Sequence, residues 1–442
     1  MSSRAGRGSE PIEVLTEAFH DQGQGLGRWK GRPVLVWGAL PGERVKALPM
    51  RRKAGFLHAV VSEVLDPSPE RVAPLEEHYL SCSPWQILRP EAEAGHKALM
   101  ARRVFREQAG MELPEDLEVV EGSRRLGYRN KMEFSFTAEG PAGLSLALHR
   151  RLSRRKAPLS GCVLASGAIN AGAARVVDAL RGKGVPEAAL KTLVMRSGSG
   201  GEALAALFVK DEGIPLEAGE VKGLQGVSIY FSDPARVASV PTRLLSQAGS
   251  QDLVEEVGPP GAGGRARVRL GLLSFFQVNV EVFEKALSDM APHLEGDVVE
   301  FYSGAGAITV GASRAASIRS ALLVDSDAGA IELARENIRI NGLEGRFSAV
   351  AAPAEKLMDE VTPGRVALFD PPRSGLHPKL LRKVAEARPA KVIYLSCNVR
   401  TQASDLRELL PFYRVSFLRL YNFFPRTPHI ESLAVLELKG GP

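Results

Sequence analysis

The last third of the chain constrains the fold most. Apolar runs recur at Val298–Tyr302, Ala321–Val324, Val366–Phe369, Val392–Leu395, Val415–Leu420 and Leu433–Leu436, alternating with stretches of helical periodicity. Runs that are mainly apolar have little polar face to turn to water, so as strands they are expected to be covered on both sides. The intervening helices supply the covers, and the alternation predicts an open, doubly wound, mainly parallel α/β sheet. Such sheets bind ligands beyond the carboxyl ends of their strands, which directs attention to the residues just after each run.

At 442 residues the chain is too long for that sheet alone, and two or three domains are expected. Residues 12 to 66 alternate short β-like runs with turn signals at Gly23, Gly25, Gly27 and Pro41-Gly42, the pattern of a small all-β barrel. Such barrels often bind oligonucleotides, and Lys46 and Arg51–Lys53 near a turn suit that use or a solvated loop. Residues 86–110 read as a helix carrying Lys97, Arg102, Arg103 and Arg106, and a mixed α/β stretch follows. Within it, His149–Lys156 holds five cations and no acid, a composition suited equally to phosphate contacts and to a solvated hairpin. Pro259–Gly264 reads as a loop before the last part. The expected division is a barrel over 1–70, a central α/β domain over 71–265 and the doubly wound domain over 266–442.

Composition adds little beyond exclusions. With 57 Lys+Arg against 51 Asp+Glu the formal charge is +6, which permits nucleic acid without requiring it. The three cysteines, Cys82, Cys162 and Cys397, are odd in number and far apart, which argues against a disulfide framework and for a reducing compartment. No apolar run reaches membrane-spanning length, and a soluble, cytoplasmic chain is expected.

Four strand ends and the start of the last strand carry candidate chemistry. The first run leads into Glu300-Phe-Tyr302-Ser-Gly304-Ala-Gly306, a turn whose glycines let a ligand approach the backbone at a helix start. It is not the dinucleotide form of that turn, since the third glycine position falls on Thr309. Asp325, at the tip of the second run, is placed to accept ribose hydroxyls, while Asp327 suits a helix N-cap. A dinucleotide and S-adenosylmethionine both remain open here. Next, Asp370-Pro-Pro-Arg373-Ser-Gly375 delivers an acid and a cation on a loop stiffened by two prolines. Ser396-Cys397-Asn398 puts a thiol after another strand, with Thr401 as a plausible N-cap, and Glu431 precedes the last strand, where a lone acid is usually solvated.

Together, Asp370-Pro-Pro-Arg373-x-Gly375, Ser396-Cys397-Asn398-x-x-Thr401 and Phe424-Pro425-x-Thr427-x-His429-x-Glu431 resemble, in order and spacing, the RNA 5-methyluridine methyltransferase family. Phe275-Phe-Gln277-Val-Asn279 looks like the family's F-x-Q-x-N segment, Gly127-Tyr-Arg129-Asn-Lys131 like its central-domain motif, and residues 12–66 like its TRAM barrel. The resemblance implies a Rossmann-like class I methyltransferase domain that uses S-adenosylmethionine, a central α/β domain and an OB-like N-terminal barrel that binds RNA.

It also implies roles. Carbon 5 of uracil is a poor nucleophile until a thiolate adds to carbon 6, so Cys397 is the expected nucleophile and Glu431 the base that removes the carbon 5 proton. Tyr302, Gly304, Gly306, Asp325, Gln277 and Asp370 are expected at the cofactor. Arg129, Lys131, Gln277, Asp370 and Arg373 are expected at the RNA, with Arg373 favouring the thiolate or the enolate oxygen. The target base must leave its stack, so the barrel, the basic segment and the cationic helix near residue 103 are expected to grip the flanking RNA.

The chain departs from the family where many members bind an iron–sulfur cluster through four cysteines. Only Cys82 and Cys162 remain of those positions, so no cluster and no metal site is expected, and both thiols read as ordinary buried residues. Ribosomal RNA is the first choice of substrate, 23S above all, and transfer RNA the second, with a monomeric protein and no membrane contact. Cytosine-5 methylation would call for Pro-Cys in place of Asp370-Pro-Pro, and exocyclic-amine methylation for an aromatic in place of Arg373. A non-catalytic RNA-binding or folding factor that keeps the fold is the alternative from another class.

Overall fold

The computed structural model describes residues 10–140, 143–261 and 263–440. The chain opens with five strands, β1–β5 (Ile12–Phe19, Gly25–Trp29, Arg32–Trp37, Arg44–Lys53 and Phe56–Asp66), closed into a barrel in the order β1-β2-β3-β5-β4. Alternation along β1 turns Ile12, Val14 and Thr16 inward and Glu13, Leu15 and Glu17 outward, so apolar side chains fill the interior. Gly27 is required where β1 and β2 cross, because a Cβ there would lie 2.3 Å from the Leu15 carbonyl oxygen.

A connecting segment follows, with the short helix α1 (Tyr79–Cys82), the long helix α2 (Pro90–Ala109) and the two-residue strand β6 (Val119–Val120). α2 begins on a proline and stops at Gly110, whose φ of 66° is the left-handed conformation glycine adopts without strain. The central sheet has seven strands in the order β13-β12-β11-β10-β7-β8-β9. These are β7–β9 (Lys131–Gly140, Gly143–His149, Lys156–Leu159) and β10–β13 (Leu190–Ser197, Ala203–Val209, Gly226–Phe231, Arg243–Gly249), with α3 (Gly167–Gly182) packed against them.

A hairpin of β14 (Asp252–Val257) and β15 (Ala266–Gly271) comes next, and its Val257, Ala266, Val268 and Leu270 are buried in the core of the last domain. The boundary expected between 265 and 266 therefore falls within this hairpin's turn. β15 and the end of β14 pack with the C-terminal unit, while Leu253 of β14 packs with Val194, Leu204 and Phe208 of the central sheet.

The last sheet contains β16–β22 (Glu295–Phe301, Ser317–Asp325, Phe347–Ala351, Arg365–Phe369, Lys391–Ser396, Tyr413–Tyr421 and Glu431–Leu438). Its helices are α4–α8 (Val280–Met290, Ala307–Ala312, Ala328–Ile340, Pro378–Ala387 and Val399–Leu409). Its order is β18-β17-β16-β19-β20-β22-β21-β6, parallel from β18 to β20, with β22 antiparallel to both neighbours. All six apolar runs are strands. β18 escaped the pattern because Ser348, Val350 and Ala351 are exposed at the sheet edge. The winding reverses between β16 and β19, which opens a crevice at their carboxyl ends. α2 and β6, although upstream in sequence, belong to this unit: Val104 and Phe105 share a core with Ala403 and Leu406 of α8, and β6 extends the sheet beside β21. Among the described residues no helix is long and apolar enough to cross a membrane.

Candidate active site

The carboxyl edge of the last sheet gathers acids that the strands themselves place. The turn after β16 takes left-handed φ values at Tyr302 (62°), Gly304 (53°) and Gly306 (77°). At Gly306 a Cβ would also lie 2.6 Å from Leu323 Cδ2, so glycine is needed there twice over. The Gly304 N–H donates to Asp325 Oδ2 at 2.8 Å and the Asp327 N–H to Asp325 Oδ1 at 2.9 Å. Each Asp325 oxygen thus accepts one backbone donor, which fixes the carboxylate and leaves further acceptor capacity. Asp327 caps α6, accepting from the Ala330 N–H. The Tyr302 hydroxyl accepts from the His377 N–H at 3.1 Å, tying this turn to the loop after β19.

Glu300, one strand position inward, is fully buried, and neither carboxylate oxygen has a hydrogen-bond partner. Burial pushes it up to about 8, and the Asp370 and Asp325 carboxylates add to the shift. Thr309 opposes that shift, and a buried acid sharing this edge with two more carboxylates makes the crevice suited to a cation. S-adenosylmethionine, with its ammonium and sulfonium groups, fits that donor set. The sequence flagged Glu300 only as part of a turn motif; the stronger signal was an acid in an otherwise apolar strand.

On the other side of the crevice, Asp370 ends β19 and accepts from Gln277 Nε2 at 3.4 Å. Burial raises it to about 7. The loop after it is locked to the loop after β20: Asn398 Nδ2 donates to the Arg373 carbonyl at 2.8 Å and the Thr401 hydroxyl to the same oxygen at 3.3 Å. This places Arg373 beside Cys397. Asn398, not Thr401, caps α8, because its side chain accepts the Arg400 N–H while Thr401 already faces Arg373. Arg373 also meets His429 Nδ1 at 3.3 Å, and burial, with the nearby Arg373 cation, holds His429 neutral by lowering it to about 3.

Cys397 is half-buried in a cavity of about 420 Å³ whose walls include Arg129, Arg151, Arg373 and His429, with Asp21 and Gln22 from the barrel. Burial pushes its thiol up to about 11; the Glu431 and Asp370 carboxylates add to the rise and Arg373 opposes it. Glu431, at the first position of β22, is 2% exposed, its Oε2 has no partner, and burial holds it well above the usual carboxylate range. It is therefore not the solvated strand start that a lone acid there would suggest.

Of the residues expected at the RNA, Arg129 lies 5.6 Å from the Phe424 ring centroid with its Nε unpartnered. Lys131 faces elsewhere, donating to the Leu273 (2.8 Å) and Ser274 (3.0 Å) carbonyls, so it braces the segment leading to Gln277. Asn130 Nδ2 bonds the Gln277 carbonyl at 3.0 Å and the Tyr128 hydroxyl the Pro425 carbonyl at 3.1 Å, which makes this motif a splint between the segments at Gln277 and Pro425. The cationic helix is likewise committed to structure: Arg103 holds Asp21 (2.6 Å) and the Phe19 carbonyl (2.8 Å). From the basic segment, Arg151 reaches the cavity and stacks 4.4 Å from the Trp37 centroid, while Arg150, Arg154 and Arg155 are exposed.

Sequence reading missed a buried ionic network behind Glu431. Lys97 Nζ donates to Glu93 Oε1 (2.8 Å), Asn422 Oδ1 (2.5 Å) and the Phe424 carbonyl (3.1 Å). Glu93 accepts the Arg426 N–H at 3.0 Å, and the Arg426 guanidinium binds the Gln86 and Leu88 carbonyls. Because Glu93 and Lys97 are one helical turn apart, the only sequence hint was an i,i+4 pair. Glu93→Ala leaves two buried cations without their anion and is expected to cost about 3–5 kcal/mol in urea unfolding. The Glu93→Ala/Lys97→Ala double variant should lose less than the sum of the two single changes.

The fold and this site define an S-adenosylmethionine-dependent RNA methyltransferase. Residues 251–439 match the family model described as tRNA (Uracil-5-)-methyltransferase, and residues 8–61 match the TRAM domain. The 23S rRNA (uracil(1939)-C(5))-methyltransferase RlmD of Alkalilimnicola ehrlichii is 28% identical over 446 residues, covering 97% of each chain. An uncharacterized RNA methyltransferase of Nostoc sp. is 28% identical over 97% of this chain and 96% of its own. The crystal structure of Pyrococcus abyssi tRNA (uracil-54, C5)-methyltransferase in complex with S-adenosyl-L-homocysteine superposes with a TM-score of 0.76 at 22% identity, covering 96% of this chain and 100% of that one. The last domain is thus similar to those of the RNA (uracil-5-)-methyltransferases, and the N-terminal barrel is a TRAM domain.

Proposed function

We propose that this enzyme methylates carbon 5 of one uridine in 23S ribosomal RNA through a covalent adduct on Cys397. One observation supports this above the others: Cys397 and Arg373 line one cavity, and the buried Glu431, whose Oε2 has no partner, acts electrostatically on Cys397 together with Arg373 and with Asp370 of the Gln277–Asp370 pair. The Cys397 thiolate adds to carbon 6 of a flipped-out uracil, and carbon 5 gains enolate character. Arg373 stabilises the anion, first on sulfur and then on the uracil oxygen. S-adenosylmethionine supplies the methyl group. Glu431 takes the carbon 5 proton, and the C6–S bond breaks to restore the aromatic ring and the thiolate. The barrel surface and Arg151 bind the flanking RNA, and the enzyme works as a monomer.

The choice of ribosomal RNA follows a relative, RlmD, that matches along nearly the whole chain. Nucleoside mass spectrometry of undermodified ribosomal and transfer RNA, each incubated with enzyme and S-adenosylmethionine, tests it. New 5-methyluridine in 23S RNA alone is the expected result; its appearance in transfer RNA alone would overturn the substrate assignment.

The raised acids make cofactor binding pH-dependent. Asp370, at about 7, is protonated below that pH, and a sulfonium favours its ionised form. Affinity for S-adenosylmethionine is therefore expected to rise with pH through about 7, where Asp370 ionises, toward about 8, where Glu300 does, and then level off. Below pH 7 the Asp370 contribution should fall by up to about tenfold per pH unit. S-adenosylhomocysteine, whose sulfur is neutral, should show a weaker trend, and Asp370→Asn should reduce the difference. Calorimetric titration of both ligands across pH 5.5 to 8.5 (roughly the working range of these groups) reads this directly.

A further inference from the structure

Four side chains that the reaction does not use converge where the connecting segment meets the central sheet. Glu76, His78, Cys82 and Cys162 each offer one ligand atom, and these atoms all lie within 4.8 Å of one another. The edges of a tetrahedron around an ion with bonds of about 2.0–2.3 Å measure about 3.3–3.8 Å, so small inward movements suffice to close the shell. We propose that these four residues form a mononuclear zinc site that fastens the connecting segment to the central domain beside the active-site cavity.

Burial and unmet bonding point the same way. The His78 side chain is 10% exposed, and its Nε2 is buried without a hydrogen bond, 3.3 Å from Glu76 Oε2. Cys162 is 2% exposed and Glu76 12%. Two thiols, an imidazole and a carboxylate packed together are costly without a cation and well matched to one.

The supporting contacts orient the donors. The Val163 N–H (2.7 Å) and Gln86 Nε2 (3.1 Å) fix the Glu76 carboxylate. Asn170 clips both the N–H and the carbonyl of Cys162, each at 3.0 Å. Such outer contacts are what metal ligands require to hold their geometry. A four-iron cluster takes a thiolate on every iron, and this set has two, so a single tetrahedral ion fits and a cluster does not.

The place matters to the enzyme. Cys82 lies in the wall of the cavity that holds Cys397, and Cys162 lines a separate groove of about 920 Å³. The Cys162 loop continues to Leu164, whose carbonyl accepts the Arg129 N–H at 2.9 Å, and to Ser166, whose N–H donates to the Arg129 carbonyl at 3.0 Å. An ion here would hold Arg129 and the Trp85 loop in one frame. On binding, both thiols release their protons to solvent and the ion's hydration shell is exchanged for the four donors.

Elemental analysis of the full-length protein, made in zinc-supplemented medium and purified under reducing conditions, tests the site. The expected result is about one zinc per chain, released when a mercurial blocks the thiols. Cobalt exchanged into the protein should show thiolate charge-transfer bands and the intense visible bands of a tetrahedral ion. His78→Ala and Cys162→Ser should each lose the metal and melt at lower temperature. Three results would overturn the proposal: folded protein with both thiols free and no zinc, a Cys82–Cys162 disulfide, or iron with labile sulfide. If the variants fail to fold, the wild-type cobalt spectrum still decides, since a folded protein without those bands excludes the site.

Discussion

Glu431→Gln is expected to turn the enzyme into a trap for its own RNA. Addition of Cys397 to carbon 6 and methyl transfer to carbon 5 do not need the Glu431 base; loss of the carbon 5 proton does. Glutamine keeps the size of the side chain in a pocket where Glu431 is 2% exposed, but it cannot accept that proton. The methylated, sulfur-linked uridine should accumulate, and a protein–RNA band that survives denaturing electrophoresis should appear only when S-adenosylmethionine is present. Turnover should fall by about 10²- to 10⁴-fold. A slow variant that shows no trapped band would assign the proton to another group, and Asp370, the other buried acid acting on Cys397, would be next to test.

Cys397→Ala is expected to remove the reaction altogether. Without the sulfur no adduct forms, carbon 5 never becomes nucleophilic, and the loss should be on the order of 10⁴-fold or more, to the detection limit. S-adenosylmethionine should bind as before, because Asp325 and Asp370, the acids proposed for the cofactor, stay in place. The Cys397→Ala/Glu431→Gln double variant should give no covalent band. Residual methylation above background in Cys397→Ala would end the covalent mechanism while leaving the methyltransferase assignment intact.

The raised thiol has a consequence for both experiments. Burial and two carboxylates push Cys397 up to about 11, opposed by Arg373 and a backbone N–H. A thiol of that kind is a poor nucleophile at neutral pH until positive charge arrives. The sulfonium of the cofactor is such a charge, so addition to uracil is expected to follow cofactor binding rather than precede it.

Much of this was legible in the sequence, and for a definite reason. The six mainly apolar runs read as strands that need cover, so the doubly wound sheet and its carboxyl edge followed from them. Asp370, Cys397 and the Gly304–Gly306 turn stand directly after such runs, so their place at one edge followed too. The barrel was legible because alternation in β1 and the turn glycines repeat at short range. In each case the residues that carry the signal are neighbours along the chain or share one periodicity.

What only the tertiary structure decided involves partners far apart in sequence. Glu431 is buried because β22 is inserted between β20 and β21, which no property of its own segment shows. Glu93 and Lys97 support the loop at Asn422–Arg426 across more than three hundred residues, and α2 and β6 serve a domain that begins long after them. Lys131, Arg103 and Lys97 look like RNA-binding cations until the fold supplies each with carbonyls or carboxylates of its own. Cys82 and Cys162, eighty residues apart, meet only when the connecting segment lies on the central domain. Local pattern fixes which strands form and which residues end them, because strand burial and turn geometry act over a few residues. Which charges are neutralised, and by what, is set by long-range packing.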